Sequence, residues 1–156
     1  MGREKSLLIL LVMQTQNKKI KNATAKTYNG INFRSSLEVR LYKYLLSKNI
    51  DTEYESETIT IWEGKHLSVP FYSTIGRNFK KITTKTRAIH YTPDFIIYYK
   101  GYKIYLEAKG FTNDVFPYKA KLFRSWLETQ PKELKLCFAV VHSIKELEFV
   151  LKDLSA

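Results

Sequence analysis

The sequence predicts an α/β domain: a central mixed β-sheet flanked by helices, in the order α-β-β-β-α-β-α. Three observations predict it. Apolar residues recur at helical spacing in three separate segments. Segments rich in Ile, Tyr and Phe surround Lys100-Gly101, a candidate two-residue hairpin turn. A short apolar run, Leu134 to Val141, lies between the last two helical segments, where a buried strand belongs. The chain's 156 residues suffice for one such domain with a proper core.

Residues 1–29 read as a polar, basic leader and 30–156 as the domain. Within the leader, Leu7 to Met13 form an apolar run behind Arg3, Glu4 and Lys5. No small-x-small cleavage site follows, so a buried strand or helix turn is the better reading than a secretion signal, and Met13 is an alternative start. The first helix should begin at Ser35 or Ser36, either of which can cap it. Leu37, Leu41, Tyr44 and Leu45 form its apolar stripe, with Glu38 at the edge of that stripe. Glu53 to Trp62 alternates like a strand, and His66 to Tyr72 suggests another, bent at Pro70. A basic loop follows, then strands Ile89 to Tyr99 and Tyr102 to Ala108. Pro117 opens a helix with Phe116, Ala120, Phe123 and Leu127 on one face. Ser143 and Glu146 form a capping box for the last helix, which turns Leu147, Val150, Leu151 and Leu154 inward.

Composition narrows the function classes. With 44% apolar, 14% aromatic and 26% charged residues, the chain is globular rather than disordered. Its one cysteine, Cys137, excludes an internal disulfide and fits a reducing compartment, the cytoplasm. No apolar run is long enough to span a membrane. No Gly-rich phosphate loop points to NTP use.

The net charge of +11 suggests a polyanionic partner, and its distribution says more. Asp51 to Glu63 holds five acids and no base, whereas Gly64 to Leu127 holds twelve bases and three acids. Arg77, Lys80, Lys81, Lys85 and Arg87 follow one another with no acid between them, a pattern suited to DNA phosphates. Lys119, Lys121 and Arg124 on the second helix are further candidates, although a solvated helix face explains them equally well. Carboxylates inside so basic a region repel the same phosphates, and a bound cation is the simplest reason for them.

Two of them are placed by the hairpin. If Tyr99 faces Tyr102 across Lys100-Gly101, Asp94 faces Glu107 with Cβ atoms ~5 Å apart. Lys109, two residues beyond Glu107, points to the same side. Like charges in that position call for a cation between them: Lys109, or better a divalent ion with a preference for oxygen; the alternative is an ordinary surface hairpin whose polar face holds a Glu-Lys pair.

Pro93-Asp94 followed by Glu107-Ala108-Lys109 resembles the signature of the PD-(D/E)XK nuclease superfamily. The strings Phe33-Arg34-Ser35-Ser36-Leu37-Glu38, Tyr91-Thr92-Pro93-Asp94-Phe95 and Glu107-Ala108-Lys109-Gly110 are similar to those of phage endonuclease I-type Holliday junction resolvases and related uncharacterised phage proteins. The resemblance covers residues 29–130 and implies a restriction-endonuclease-like core. It implies that Asp94, Glu107 and the Ala108 carbonyl bind Mg²⁺, with Mn²⁺ as a substitute. Glu38 would complete the site, and Lys109 would orient or deprotonate the attacking water or stabilise the transition state. It further implies a homodimer acting on branched DNA in a bacterial or phage-infected cell. Two departures stand out: 55 residues separate Glu38 from Asp94, more than in those resolvases, and their longer basic C-terminal portion has no counterpart. A homing or site-specific nicking endonuclease of the same superfamily, and a non-catalytic nucleic-acid-binding protein, are the alternatives.

Overall fold

The computed structural model describes residues 25–110 and 115–156, so the run Leu7 to Met13 lies outside the described residues. The chain divides into two compact units after Ser36. In the first, β1 (Lys26–Tyr28) and β2 (Ile31–Phe33) form an antiparallel hairpin. Its turn is Asn29-Gly30, with φ of 48° and 75°. Positive φ at both central residues is what a tight hairpin turn of matching twist requires. The leader boundary expected after Asn29 falls inside this turn.

The second unit is α/β around a mixed sheet. Its elements are α1 (Ser36–Ser47), β3 (Asp51–Tyr54), β4 (Ile59–Trp62), β5 (Phe71–Ile75), β6 (Asn78–Ile82), β7 (Ile89–Tyr91), β8 (Phe95–Tyr99), β9 (Tyr102–Ala108), α2 (Phe116–Leu127), β10 (Leu136–Val141) and α3 (Ile144–Asp153). The central sheet runs β10-β9-β8-β3, with β10 parallel to β9 and the other neighbours antiparallel. Counting only strands of this sheet, the order is α-β-β-β-α-β-α, as the patterning predicts. The four remaining strands, β4 to β7, lie between β3 and β8 in sequence and pair as two ribbons, β4-β7 and β5-β6.

Four expectations are corrected. Glu53 to Trp62 is two strands in different sheets, because the chain breaks at Glu55, whose φ is 45° and whose N–H donates to the Asp94 carbonyl at 3.0 Å. Ile89 to Tyr99 is likewise two strands, interrupted at Thr92-Pro93-Asp94, where Pro93 offers no ladder donor. No strand covers His66 to Pro70; pairing starts only at Phe71, after Pro70, and the basic loop is largely a hairpin.

The hairpin at Lys100-Gly101 has the expected register: Tyr99 pairs with Tyr102 and Phe95 with Leu106, around central φ values of 51° and 82°. Alternation then sorts the sheet into two faces. One carries Ile96, Tyr105 and Phe138, packed with Phe116 and Phe123 of α2, Ile59 and Ile61 of β4 and Tyr91 of β7. The other carries Phe95, Ile97, Ile104 and Leu106, all fully buried, with Tyr42 of α1 stacked on Phe95 at 6.4 Å. Leu37, Leu41 and Leu45 of α1 and Leu147 and Leu151 of α3 are buried as their spacing predicts. Ser143 caps α3 by accepting from the Glu146 N–H at 3.3 Å, but the Glu146 carboxylate takes the His142 N–H at 2.7 Å instead of closing the box.

The β4–β7 ribbon narrows to a neck. Lys65 and Thr86 exchange hydrogen bonds of 2.8 to 3.1 Å, and the backbone at 86–88 crosses directly over Gly64. A Cβ on Gly64 would stand 2.2 Å from the Thr86 carbonyl oxygen. Gly64→Ala is therefore expected to cost about 1–3 kcal/mol, read as a fall in Tm; an unchanged Tm would mean that the neck opens freely.

Candidate active site

The break at Thr92-Pro93-Asp94 leaves Asp94 one residue ahead of β8, where it extends the ladder opposite Glu107, the second-last residue of β9. Asp94 Oδ2 accepts the Ala108 N–H at 2.7 Å, which fixes the carboxylate across the two strands. Glu107 shares the α2-side face with Tyr105, and there Tyr91 Oη donates to Glu107 Oε2 at 2.6 Å. Lys109 Nζ lies 2.5 Å from Glu107 Oε1 and 4.3 Å from the centre of the Phe116 ring. Glu38 comes from the first turn of α1, and Tyr54 Oη donates to its Oε2 at 2.8 Å. Tyr54 is the last residue of β3 and the ladder partner of Phe95, beside Asp94. Asp94 and Glu107 thus face each other where β8 begins and β9 ends, while Glu38 is held on Tyr54.

Among the described residues, the buried charged or polar side chains are Glu38, Asp94 and Glu107, at 4, 8 and 4% exposure. Removing three carboxylates from water inside an otherwise apolar core is unfavourable unless they gain compensating partners. Asp94 bears the cost most plainly. Burial, then the charges of Glu107 and Glu38, push its carboxyl up to about 8, against the opposing pull of the Ala108 N–H and Lys109. Burial and the adjacent Glu107 carboxylate also push the Tyr91 phenol up, so Tyr91 remains a donor.

The donor set is hard oxygen, buried and negative, which suits Mg²⁺ or Mn²⁺. Among the described residues no group of three His, Cys, Asp or Glu side chains is gathered to hold one ion. The ligand pair that fits is therefore Asp94 with Glu107, supplemented by backbone and water oxygens, while Glu38 stands beside it on Tyr54.

Two supporting residues escaped the sequence reading. Tyr91 lies inside the Tyr91-Thr92-Pro93-Asp94 string, yet its role depends on the chain break that separates β7 from β8. Nothing in its own segment marks Tyr54. Tyr91→Phe keeps the ring against Phe123, 4.6 Å away, but leaves Glu107 Oε2 without its donor. A loss of about 1–3 kcal/mol is expected, measured as a lower urea midpoint.

The basic candidates are distributed differently. Arg77, Lys80 and Lys81 are exposed on the β5–β6 hairpin, and Lys85 and Arg87 are exposed beyond it. Lys121 and Arg124 are exposed on α2, whereas Lys119 is half-buried and donates to the His90 carbonyl at 3.2 Å, tying α2 to β7. His90 is a strand residue, with Nδ1 3.1 Å from Thr60 Oγ1.

A family model described as "Protein of unknown function (DUF1064)" matches residues 17–147. No curated protein and no solved structure matches the chain.

Proposed function

The chain belongs to the DUF1064 family, and from its own buried carboxylates we propose that it is a Mg²⁺-dependent DNA endonuclease, selective for branched DNA. One observation carries this reading: the buried charged side chains among the described residues are Glu38, Asp94 and Glu107, the acids to which the PD-(D/E)XK resemblance gives metal roles, with Lys109 on Glu107.

Asp94, Glu107 and the Ala108 carbonyl would hold Mg²⁺, which lowers the pKa of water and neutralises a bound phosphate. Tyr91 and the Ala108 N–H keep the two carboxylates from rotating, so their oxygens are set before substrate arrives. Lys109 places a positive charge where negative charge builds on phosphorus, and the Phe116 ring beneath it holds the ammonium in that position. Glu38, fixed by Tyr54, deepens the negative potential at Asp94. Arg77, Lys80, Lys81, Lys85, Arg87, Lys121 and Arg124 would contact the phosphate backbone.

Among the described residues, no helix is long and apolar enough to cross a membrane. The protein would act in the cytoplasm as a homodimer, one active site for each strand of the branch. The test is incubation with a labelled four-way junction and a linear duplex of the same arm sequences, in Mg²⁺ and in EDTA. Paired, metal-dependent cuts near the branch with the duplex spared are the expected result. Cutting at one defined duplex sequence would make the protein a site-specific nicking enzyme instead. Binding without cleavage in both Mg²⁺ and Mn²⁺ would reduce it to a binding module.

A further inference from the structure

We infer that the β5–β6 hairpin is a base-stacking arm that takes unpaired bases of the DNA. The inference rests on the nuclease reading only for the identity of the nucleic acid; the arm's own surface supplies the rest. The ribbon has five antiparallel pairs and hydrogen-bonds to no other strand among the described residues. It closes on Gly76-Arg77, with Gly76 at φ +65°, the conformation a two-residue turn opening on glycine uses. Register places Tyr72, Thr74, Phe79 and Lys81 on one side, and Phe71, Ser73, Ile75 and Lys80 on the other.

On the first side the Tyr72 and Phe79 rings are 6.3 Å apart and within 22° of parallel, yet 55% and 73% exposed. Two large rings held parallel in water are an unfavourable surface for the free protein, since more than half of each residue stays exposed. A two-stranded ribbon is marginal by itself, so a partner is expected to order and cover it. The charge identifies the partner's chemistry. From Gly64 to Pro93 there are six bases (Lys65, Arg77, Lys80, Lys81, Lys85 and Arg87) and no acid. An aromatic surface with Lys81 beside the rings and Lys80 on the reverse face matches a strand of nucleic acid, whose bases stack on rings while its phosphates meet ammonium groups. A fully paired duplex keeps its base faces inside the stack, whereas an unpaired segment offers them. The chain that leaves the arm leads into β7, whose Tyr91 donates to Glu107.

The test measures affinity of the full chain, in EDTA, for a labelled single strand and for the matching duplex. Tyr72→Ala with Phe79→Ala is expected to weaken single-strand binding by about 10-fold or more and to leave duplex binding within about 2-fold, since rings contribute through exposed bases. Tyr72→Phe with Phe79→Tyr keeps both rings and is expected to bind like the unmodified protein. Lys80→Ala with Lys81→Ala should weaken both DNAs and flatten the log–log salt slope by ~1–2 units. Equal losses on both DNAs, no loss, or a loss with the ring-preserving pair would each overturn the inference. So would a fall in mass on sedimentation of the alanine pair, which would make the face a contact between copies, or ring-dependent binding to anionic vesicles. Cleavage in Mg²⁺ is read separately. Ring-dependent binding without cleavage removes the nuclease reading and keeps the arm; cleavage with ring-independent binding does the reverse.

Discussion

Asp94→Asn is expected to abolish metal-dependent cleavage and also to raise the Tm of the metal-free protein at pH 8. Both follow from one position. The Asp94 carboxyl is pushed up to about 8 by burial and by Glu107 and Glu38, whereas an unfolded aspartate titrates near 4. Between those values the folded state binds more protons than the unfolded one, so stability falls as pH rises. The contribution is fully present below about pH 4 and is lost as pH rises through about 8, the opposite of an ordinary paired aspartate. Asparagine has no charge to lose and can still accept the Ala108 N–H. The gain in Tm should be largest at pH 8 and shrink towards pH 4. Mg²⁺ or Ca²⁺ should reverse the ranking, because ligand binding to the native state stabilises only the protein that retains the carboxylate. Equal Tm values at pH 8, an equal response to Ca²⁺, or continued cleavage by the variant would each remove Asp94 from the proposed metal set.

The same frustration explains which parts of the molecule were legible in the sequence. Helices and the central sheet follow from local periodicity: Leu37, Leu41 and Leu45, or Leu147 and Leu151, are buried because 3.6-residue spacing puts them on one face. The β8–β9 register was legible because a two-residue turn admits one pairing, and that pairing set Asp94 opposite Glu107. The β4-β7 and β5-β6 ribbons were not. Glu55 at φ 45° looks like any residue of an alternating strand, and nothing near it announces the hydrogen bond to Asp94 that fixes the break. Lys80 and Lys81 read as loop because charge and exposure mask a ribbon that has no buried face to alternate. The first hairpin carried a strong signal, Asn29-Gly30, that its basic surroundings obscured. Of the site, Asp94, Glu107 and Lys109 are marked by being polar in or beside apolar strands, and Glu38 by its place at the edge of an apolar helical stripe. Tyr54 and Tyr91 are unmarked, because an aromatic residue in a strand is ordinary and only the tertiary fold brings their hydroxyls to Glu38 and Glu107.

Lys109→Ala separates the chemical contribution of this site from its structural one. Lys109 is the cation in contact with Glu107, and its side chain is 21% exposed, so water screens the pair only in part. Removing it should cost stability by about 1–3 kcal/mol, below the ~3–5 kcal/mol typical of breaking a fully buried pair. Its effect on rate should be far larger. A positive charge aimed at the developing phosphate charge inside a partly dry site contributes about 10²–10³ in rate, while DNA affinity in EDTA should change little because Lys109 is one cation among many. Lys109→Arg keeps the charge and can still pair with Glu107, so it should retain a measurable fraction of activity if electrostatic stabilisation is the role. An arginine variant as inactive as the alanine one, with Tm near that of the unmodified protein, would assign Lys109 to proton transfer instead, since arginine stays protonated. Turnover by Lys109→Ala near the original rate would exclude it from the chemistry altogether and leave the Glu107 ion pair as its whole function.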